Sequence, residues 1–297
     1  MLHKKYLINL KKNNFIDENE INKILILLNK NGFVVIKNFY SKYDLHNFVK
    51  KANESLVDGY NAGYANFASL RSVSGEYHRE FHHPFYISKV AVSTVLSRYL
   101  NKIISSYLDF KPMIHHALFQ KTLPGNKHQL DWHIDLGSNK TLNKSEKFKD
   151  KRLRMIVYLN KVKSGGLNYI VESHKNSVDY FFHLLPGELF PKDKVPNDKN
   201  RKVHITGDTG DLILFDTHGL HKPGKLLKER VVFNVWFCRK DFKGKIPPNI
   251  IDVGNIDESL QNDVSIFSSS FDYSGNLDKK RKSLIERLYG IKKLFNL

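Results

Sequence analysis

The chain has 297 residues, of which 41% are hydrophobic and 26% charged, the composition of an ordinary globular protein with a sizeable core. Its formal net charge is +18, and a surface this basic attracts nucleic acids, anionic membranes or acidic substrates. No basic repeat interleaved with aromatic residues is visible, so we expect no nucleic-acid partner.

Cysteine usage and the lack of long apolar runs bear on where the protein is found. The single cysteine, Cys238, lies in an apolar strand pattern, which excludes a disulfide framework and fits a reducing compartment. No apolar run approaches the roughly 20 residues that cross a bilayer, and residues 1–12 have too short an apolar core for a signal peptide. We therefore expect a cytoplasmic protein without a membrane span.

The N-terminal part of the chain is predicted to be mainly helical. Apolar residues recur at helical spacing in three segments, namely 16–31, 43–56 and 88–108. The first helix is predicted to begin at Asp17, with Glu20 three residues later as in a capping box, and to end at Gly32. A strand is predicted directly after it, at residues 33–39.

Residues 57–86 predict a long irregular loop, because Gly, Asn, Ser and aromatic residues are dense there. Long loops in compact domains are usually functional or disordered, and the aromatic residues argue against disorder. The functional interpretation is a flap at the mouth of a substrate site, with Arg71, His78 and Arg79 as candidate substrate contacts. An ordinary surface loop remains an equal alternative.

From residue 112 the pattern changes to short strands separated by turns, which is typical of a sandwich or barrel. Strands are predicted near residues 113–122, 130–136, 153–160, 167–172, 202–206, 211–218 and 230–238. Helices followed by strands predict a mostly β protein, a double-stranded β-helix (jelly roll) buttressed by N-terminal helices.

We expect the whole chain, 1–297, to be one domain. Its parts would be a helical region over about 1–110, a jelly-roll core over about 111–240 and a C-terminal extension over about 241–297. Within the extension, residues 278–296 predict a basic amphipathic helix that docks on the body of the protein, with membrane or partner binding as the alternative.

Three residues form a candidate iron site. His133 and Asp135 are two apart on a predicted strand, so their side chains leave the same face and can hold one cation. His221 lies at the mouth of a strand of the buried type and supplies a third ligand. Two histidines and one carboxylate on one face, with open positions opposite, are the ligand set of non-haem Fe(II) oxygenases. His218 competes for the third position, but strand parity and the spacing to Arg230 favour His221.

Arg230 is the candidate anchor for a second ligand. It opens an otherwise apolar strand, where an arginine needs an anionic partner. A guanidinium group matches a carboxylate with two parallel hydrogen bonds. An iron site with a buried arginine nearby suits 2-oxoglutarate, whose keto-acid end chelates the metal while its far carboxylate meets Arg230. Asn234 and Trp236 share the face of Arg230 if the strand is regular, so we expect them to line the same cavity.

Several motifs recur in the order and spacing of one enzyme family. They are Lys-Thr-Leu-Pro-Gly at 121–125, Trp-His-Ile-Asp at 132–135, Gly165-Gly166 with Glu-Ser-His-Lys at 172–175, Gly-Asp-Leu-Ile-Leu-Phe-Asp at 210–216, and His221 with Arg230. With these motifs, the chain resembles the phytanoyl-CoA dioxygenase family of Fe(II)/2-oxoglutarate-dependent oxygenases from about residue 20 to about residue 240. Two departures are the missing Pro-Gly before Ser173 and the presence of Pro223 where a hydroxyl residue often contacts the co-substrate.

The resemblance implies an Fe(II)- and 2-oxoglutarate-dependent dioxygenase that hydroxylates a small organic substrate with O2 and releases succinate and CO2. It also implies a polar contact to 2-oxoglutarate at Lys121, for which a solvent-facing lysine is the alternative. The rival interpretations are a non-catalytic jelly-roll binding module and a cupin-type isomerase. Arg230 together with three metal ligands argues against both, because a binding module has no need of a complete ligand set.

The substrate is expected to be anionic, because basic residues gather where the mouth of the site is predicted. These residues are Arg71, Arg79, Lys140, Lys144, Lys147 and Lys149. A small acid fits this charge, and so does a CoA-linked, phosphate-bearing or carrier-linked substrate.

Overall fold

The computed structural model describes residues 6–10, 17–64, 68–71, 73–74, 76–125, 130–135, 151–176, 183, 189–239, 249–251 and 270–272. The helix predicted at 278–296 lies outside these residues, and so do the four lysines Lys140, Lys144, Lys147 and Lys149. Predictions about these segments, and the extent of the single domain, therefore stay predictions.

The described residues before 110 form five helices, where the apolar pattern predicts a mainly helical region with three helical segments. They are α1 (Glu18–Asn31), α2 (Lys42–Ser55), α3 (Pro84–Ile87), α4 (Lys89–Leu96) and α5 (Arg98–Leu108). The side chain of Asp17 accepts a hydrogen bond from the first turn of α1, and Gly32 ends this helix with a φ of 85°. Both ends of the first predicted helix are thus confirmed.

The prediction of one continuous helix over 88–108 is wrong. The backbone leaves the helical conformation at Ser97, and the hydroxyl of this residue accepts a hydrogen bond from Leu100 N–H. Serine at such a position starts a new helix by satisfying a free N–H group of its first turn. The segment is therefore two helices, α4 and α5, with a turn between them.

The strands of the described residues form two main sheets and two short pairs. They are β1 (Leu7–Asn9), β2 (Phe33–Lys37), β3 (Asn61–Tyr64), β4 (Ala68–Arg71), β5 (Val73–Ser74), β6 (His78–Phe81), β7 (Pro112–Thr122), β8 (Leu153–Tyr158), β9 (Val162–Ile170), β10 (Lys202–Gly207), β11 (Leu212–Asp216), β12 (His221–Pro223), β13 (Arg230–Arg239), β14 (Asn249–Ile251) and β15 (Ser270–Asp272). The large sheet has the order β1-β2-β11-β8-β13-β7-β6-β5, and the small sheet has the order β10-β9-β12.

Two predicted segments differ from the observed strands. Residues 57–86 are not an irregular loop, because β6 pairs antiparallel with β7 and extends the large sheet, while β3 and β4 form a hairpin. Residues 130–136 do not form a regular strand. Within the described residues 130–135, only His133 makes ladder contacts, in isolated bridges to Leu189 and His221.

Alternating side chains of the large sheet pack against two different layers. One set, including Met155 and Phe233, joins the helices in the larger core cluster. The other set, including Tyr158 and Phe215, joins residues of the small sheet such as Tyr169 in a second cluster. This period of two is what extended strands impose. Two facing sheets of mainly antiparallel strands with flanking helices confirm the predicted fold class.

None of the helices in the described residues has the length and apolar character needed to cross a bilayer.

Candidate active site

Backbone hydrogen bonds bring the predicted metal ligands together. His133 and His221 exchange two N–H to C=O bonds of 3.0 Å, and Asp135 N–H donates to Thr217 O at 2.9 Å. His221 also opens β12 and pairs with Tyr169 of the small sheet. The turn before β12 and the segment carrying His133 therefore lie side by side, with the three side chains at one point.

The side chains of His133, Asp135 and His221 form a compact cluster. Their nearest ligand atoms all lie within 4.8 Å of one another. The carboxylate of Asp135 faces both rings, with Oδ1 3.5 Å from His133 Nε2 and Oδ2 3.6 Å from His221 Nε2. Two of these atoms, Asp135 Oδ2 and His221 Nε2, are buried and have no hydrogen-bond partner among the described residues. Buried polar atoms left unpaired cost free energy unless a ligand satisfies them, so the cluster fits a bound cation.

The outer nitrogens of both rings are tied to the backbone. His133 Nδ1 donates to Asp131 O at 2.7 Å, and His221 Nδ1 donates to Gly219 O at 2.8 Å. Because a carbonyl oxygen can only accept, each ring carries its proton on Nδ1 and turns the lone pair of Nε2 toward Asp135. Metal-binding histidines are commonly oriented in this way.

Electrostatics keep the cluster in the protonation states that bind a metal. Burial and the nearby His221 lower the pKa of His133 to about 4, so its imidazole is neutral at pH 7. Burial raises the pKa of Asp135, but His221, His133 and Arg154 lower it more, and the net pKa lies well below the usual range. The site thus presents a carboxylate and a neutral imidazole at neutral pH.

His218, the competing third ligand, lies in the turn before β12. Its backbone N–H donates to Asp216 Oδ1 at 2.8 Å, and its side chain is buried. The other carboxylate oxygen of Asp216 accepts from Tyr107 at 2.6 Å. The ligand cluster found in the described part of the chain contains His221 and not His218.

Arg230 lines a cavity of about 290 Å³ that also touches His133 and His221. Its guanidinium donates to Gly165 O and, at 3.4 Å, to Thr122 Oγ1, while its Nε is buried without a hydrogen-bond partner. Among the described residues it has no carboxylate partner, and burial lowers its pKa. Arg230 thus offers a cation in a cavity that also touches His133 and His221.

Lys121 lies elsewhere. Its ammonium group is 3.4 Å from Glu229, and the lysine does not line the cavity of Arg230. The next residue of β7, Thr122, lines that cavity because successive side chains of a strand point to opposite faces.

The three predicted substrate contacts are placed differently. His78 lines the cavity. Arg79 does not, and its guanidinium lies 2.6 Å from Asp58 instead. The backbone of Arg71 belongs to β4, but its side chain lies outside the described residues. The structure therefore brings only His78 of this set to the cavity.

The sequence analysis did not single out Arg154, which lines the same cavity from β8. Its guanidinium carbon lies 4.0 Å above the ring of Trp236, and Nη1 is 3.8 Å from Asp135 Oδ2. The signal was available in the sequence, because Arg154, like Arg230, is a charged residue in an otherwise apolar strand. Asn234 lines the cavity as predicted, and its Oδ1 accepts from Arg154 Nη2 at 3.3 Å, whereas Trp236 is not among the residues that line it.

A family model of phytanoyl-CoA dioxygenase (PhyH) matches residues 28–225. The chain belongs to this family. The part matched by the PhyH model contains the three clustered side chains and ends before Arg230. No protein of curated function shows a significant sequence match to this PhyH family member.

Solved structures with the same fold include three enzymes. EctD from S. alaskensis in its apoform has a TM-score of 0.57 at 16% identity, over 82% of this chain and 85% of that chain. HygX from Streptomyces hygroscopicus, solved with nickel, 2-oxoglutarate and hygromycin B, has a TM-score of 0.53 at 13% identity, over 84% and 96%. The epimerase SnoN, in complex with Fe3+, alpha ketoglutarate and nogalamycin RO, has a TM-score of 0.53 at 10% identity, over 75% and 85%. At these identities the likeness establishes the fold of this PhyH protein.

Proposed function

We propose that the protein is an Fe(II)- and 2-oxoglutarate-dependent dioxygenase that hydroxylates a small, anionic organic substrate. The observation that carries this proposal is the cluster of His133, Asp135 and His221, with ligand atoms within 4.8 Å of one another and two of them buried without a hydrogen bond. Membership of the PhyH family supports it, as do the iron and 2-oxoglutarate named for structures of the same fold.

The residues present fit both groups. His133, Asp135 and His221 would hold the iron, and Arg230 would bind the far carboxylate of 2-oxoglutarate. Bound iron and 2-oxoglutarate supply the oxidation with O2, while the protein positions the substrate and excludes water. The unpaired Nε of Arg230 and its lack of an acidic partner in the described chain support this role.

The anionic substrate class rests on the basic groups around the site. Arg154 and Arg230 line the cavity together with His78, and the formal net charge of the whole chain is +18. Both a free small acid and the acidic part of a CoA- or carrier-linked compound match this charge. The buried thiol of Cys238, which donates to Met113 O, fits the proposal of a reducing, cytoplasmic location.

Anaerobic titration tests the proposed ligands. Adding Fe(II) and then 2-oxoglutarate to wild-type protein should produce the metal-to-ligand absorption of the chelated keto acid. Asp135→Ala and His221→Ala should abolish this absorption, because each removes one of three ligands. His218→Ala is the matched control, since this histidine is buried in the same turn but lies outside the cluster.

Thermal unfolding of each variant shows whether the fold is retained. Loss of absorption in His218→Ala with retention in His221→Ala would overturn the choice of ligand. With oxygen present, a substrate candidate that releases succinate and gains one oxygen atom supports hydroxylation. A product with unchanged composition, or one that has only lost hydrogen, would contradict it.

A further inference from the structure

Two arginines occupy opposite ends of the cavity. On the large sheet, β8 pairs with β13 so that Tyr158 lies beside Val232 and Arg154 beside Trp236. Arg230 therefore lies beyond the Tyr158 end of this ladder, while Arg154 lies at the other end. Four residues of strand separate Tyr158 from Arg154, which is about 13 Å at the usual rise.

The proposed metal ligands lie near Arg154. Asp135 Oδ2 is 3.8 Å from the guanidinium of Arg154, whereas the nearest contacts of Arg230 are Gly165 and Thr122. A five-carbon diacid bound between Arg230 and the proposed metal would extend along this ladder toward Arg154, which lies at the other end of the cavity.

Among the described residues, the ion-pair partner of Arg154 is Asp135, at 3.8 Å and so beyond hydrogen-bond distance. The carboxylate of Asp135 would also be engaged by the proposed metal. The hydrogen bond from Nη2 to Asn234 is to a neutral amide, and Nε is buried without a partner. The side chain is only 19% exposed. A largely buried guanidinium without a bidentate partner calls for an anion.

The surroundings hold Arg154 in one orientation. The guanidinium carbon lies over Trp236 at 4.0 Å, which fixes its height above the ring. Asn234 accepts from Arg154 and donates to Gln120 at 3.4 Å, and Gln120 donates to Glu80 at 2.7 Å. This chain of side chains orients the planar donor edge of Arg154 before any ligand binds.

Among the described residues that line the cavity, Glu80 is the acidic one, and its charge is already compensated. One carboxylate oxygen accepts from Gln120, and the other lies 3.2 Å from His82 Nε2. The contact with His82 is the main reason why its pKa is lowered, so Glu80 stays ionised within this network. Glu80 is therefore linked to Arg154 through Gln120 and Asn234 and makes no direct hydrogen bond with Arg154 among the described contacts.

We propose that Arg154 binds the carboxylate of the substrate at the end of the cavity opposite Arg230. In this way Arg154 would decide which compounds reach the proposed metal ligands. This inference rests on the proposed function and names the residue that sets its substrate class. A planar carboxylate matches the donor edge of a guanidinium with two hydrogen bonds. The carbon atoms next to that carboxylate would then lie beside Asp135.

Fluorescence of the tryptophan under Arg154 reports this binding without turnover. The protein contains two tryptophans, and Trp236 is the one in contact with Arg154. The anaerobic Fe(II) protein is saturated with 2-oxoglutarate and titrated with isobutyrate, or with the uncharged isobutyramide of the same shape. We expect a saturable change with isobutyrate alone in the wild type, and at least a tenfold weaker response in Arg154→Gln.

Arg230→Gln is the matched control, because it removes the other arginine of the cavity. It should lose 2-oxoglutarate affinity, whereas Arg154→Gln should keep 2-oxoglutarate affinity within twofold of the wild type. Should Arg154→Gln not fold, Arg154→Lys replaces it, with weaker isobutyrate binding expected because an ammonium group lacks the planar donor edge.

Three results would overturn the inference. They are equal isobutyrate binding in wild type and the Arg154 variant, no saturable response to isobutyrate in the wild type, and tighter binding of methyl phosphate than of isobutyrate. Failure of the wild-type protein to bind Fe(II) and 2-oxoglutarate would instead remove the proposed function. Normal 2-oxoglutarate binding accompanied by any of the three results removes only the role of Arg154.

Discussion

The two faces of the large sheet differ, although the same strands build both. One face is apolar, and the other carries polar groups at the cavity. On β8, Leu153, Met155 and Val157 pack against the helices, while Arg154 between them faces the cavity. On β13, Phe233 belongs to the helix-side core and Asn234 lines the cavity. Because neighbouring residues of a strand point in opposite directions, one strand can stabilise the fold and hold polar groups at the site. Changes on the two faces should therefore have separable effects.

The largest effect on stability is expected on the face of the large sheet that packs against the helices. Phe233 is fully buried, and its ring lies 5.2 Å from that of Phe48 and 5.5 Å from that of Phe119. Phe233→Ala should lower the free energy of unfolding by about 3–5 kcal/mol, because it leaves a cavity in the larger core. Denaturant unfolding measures this loss. Below the transition, binding of Fe(II) and 2-oxoglutarate should stay near wild type, and a parallel loss of binding would show that the faces are coupled.

On the face of the sheet that lines the cavity, Arg230→Gln should weaken ligand binding and change the stability of the protein little. Losing one partner of a buried charge pair costs about 3–5 kcal/mol, so the 2-oxoglutarate concentration needed for half-saturation should rise steeply. The unfolding free energy of the free protein should change by only about 1 kcal/mol, the net value of its hydrogen bonds. Anaerobic absorption titration and denaturant unfolding give the two values. Unchanged 2-oxoglutarate affinity would remove Arg230 from the site.

The smallest effect is expected at the edge of the site, where two lysines bind one carboxylate. Lys222 Nζ is 2.9 Å and Lys192 Nζ is 3.0 Å from the oxygens of Asp131, whose backbone carbonyl orients His133. Lys222→Met should weaken Fe(II) binding about tenfold, the lower range for residues that orient metal ligands. Lys192→Met is the control, because its side chain is 83% exposed and an exposed pair contributes little. Equal affinities in both variants would show that this ion pair does not position His133.

Local signals were sufficient to predict most of the fold. Asp17 and Gly32 mark the ends of α1 through capping, which depends on neighbours in sequence. Apolar runs identified the central strands, because strands covered on both faces read as continuous apolar segments. Ser97 was missed as a helix boundary because its neighbours continue the apolar period. Strand β6, within 57–86, was missed because its partner β7 is distant in sequence.

The structure brings some of the predicted site residues together and places others apart. The spacing in the sequence predicted that His133, Asp135 and His221 form one site, and their side chains lie together in the structure. His133 is held by isolated bridges to His221 and Leu189 and not by a regular strand. The contact of Lys121 with Glu229 could not be predicted, because it depends on how β7 meets the turn before β13. Arg154 was overlooked although a charge within an apolar strand was the signal that identified Arg230.

The pairing of β2 with β11 has a consequence for how the chain acquires its structure during synthesis. Phe33 of β2 pairs with Phe215 of β11. Strand β11 leaves the ribosome only after most of the core has been made, so β2 cannot form this pairing before then. Contacts between such distant residues slow folding, because a long loop must close before the pairing stabilises anything. Until then the apolar strand β2 lacks this partner on the growing chain, and an unpaired strand edge favours aggregation or chaperone binding.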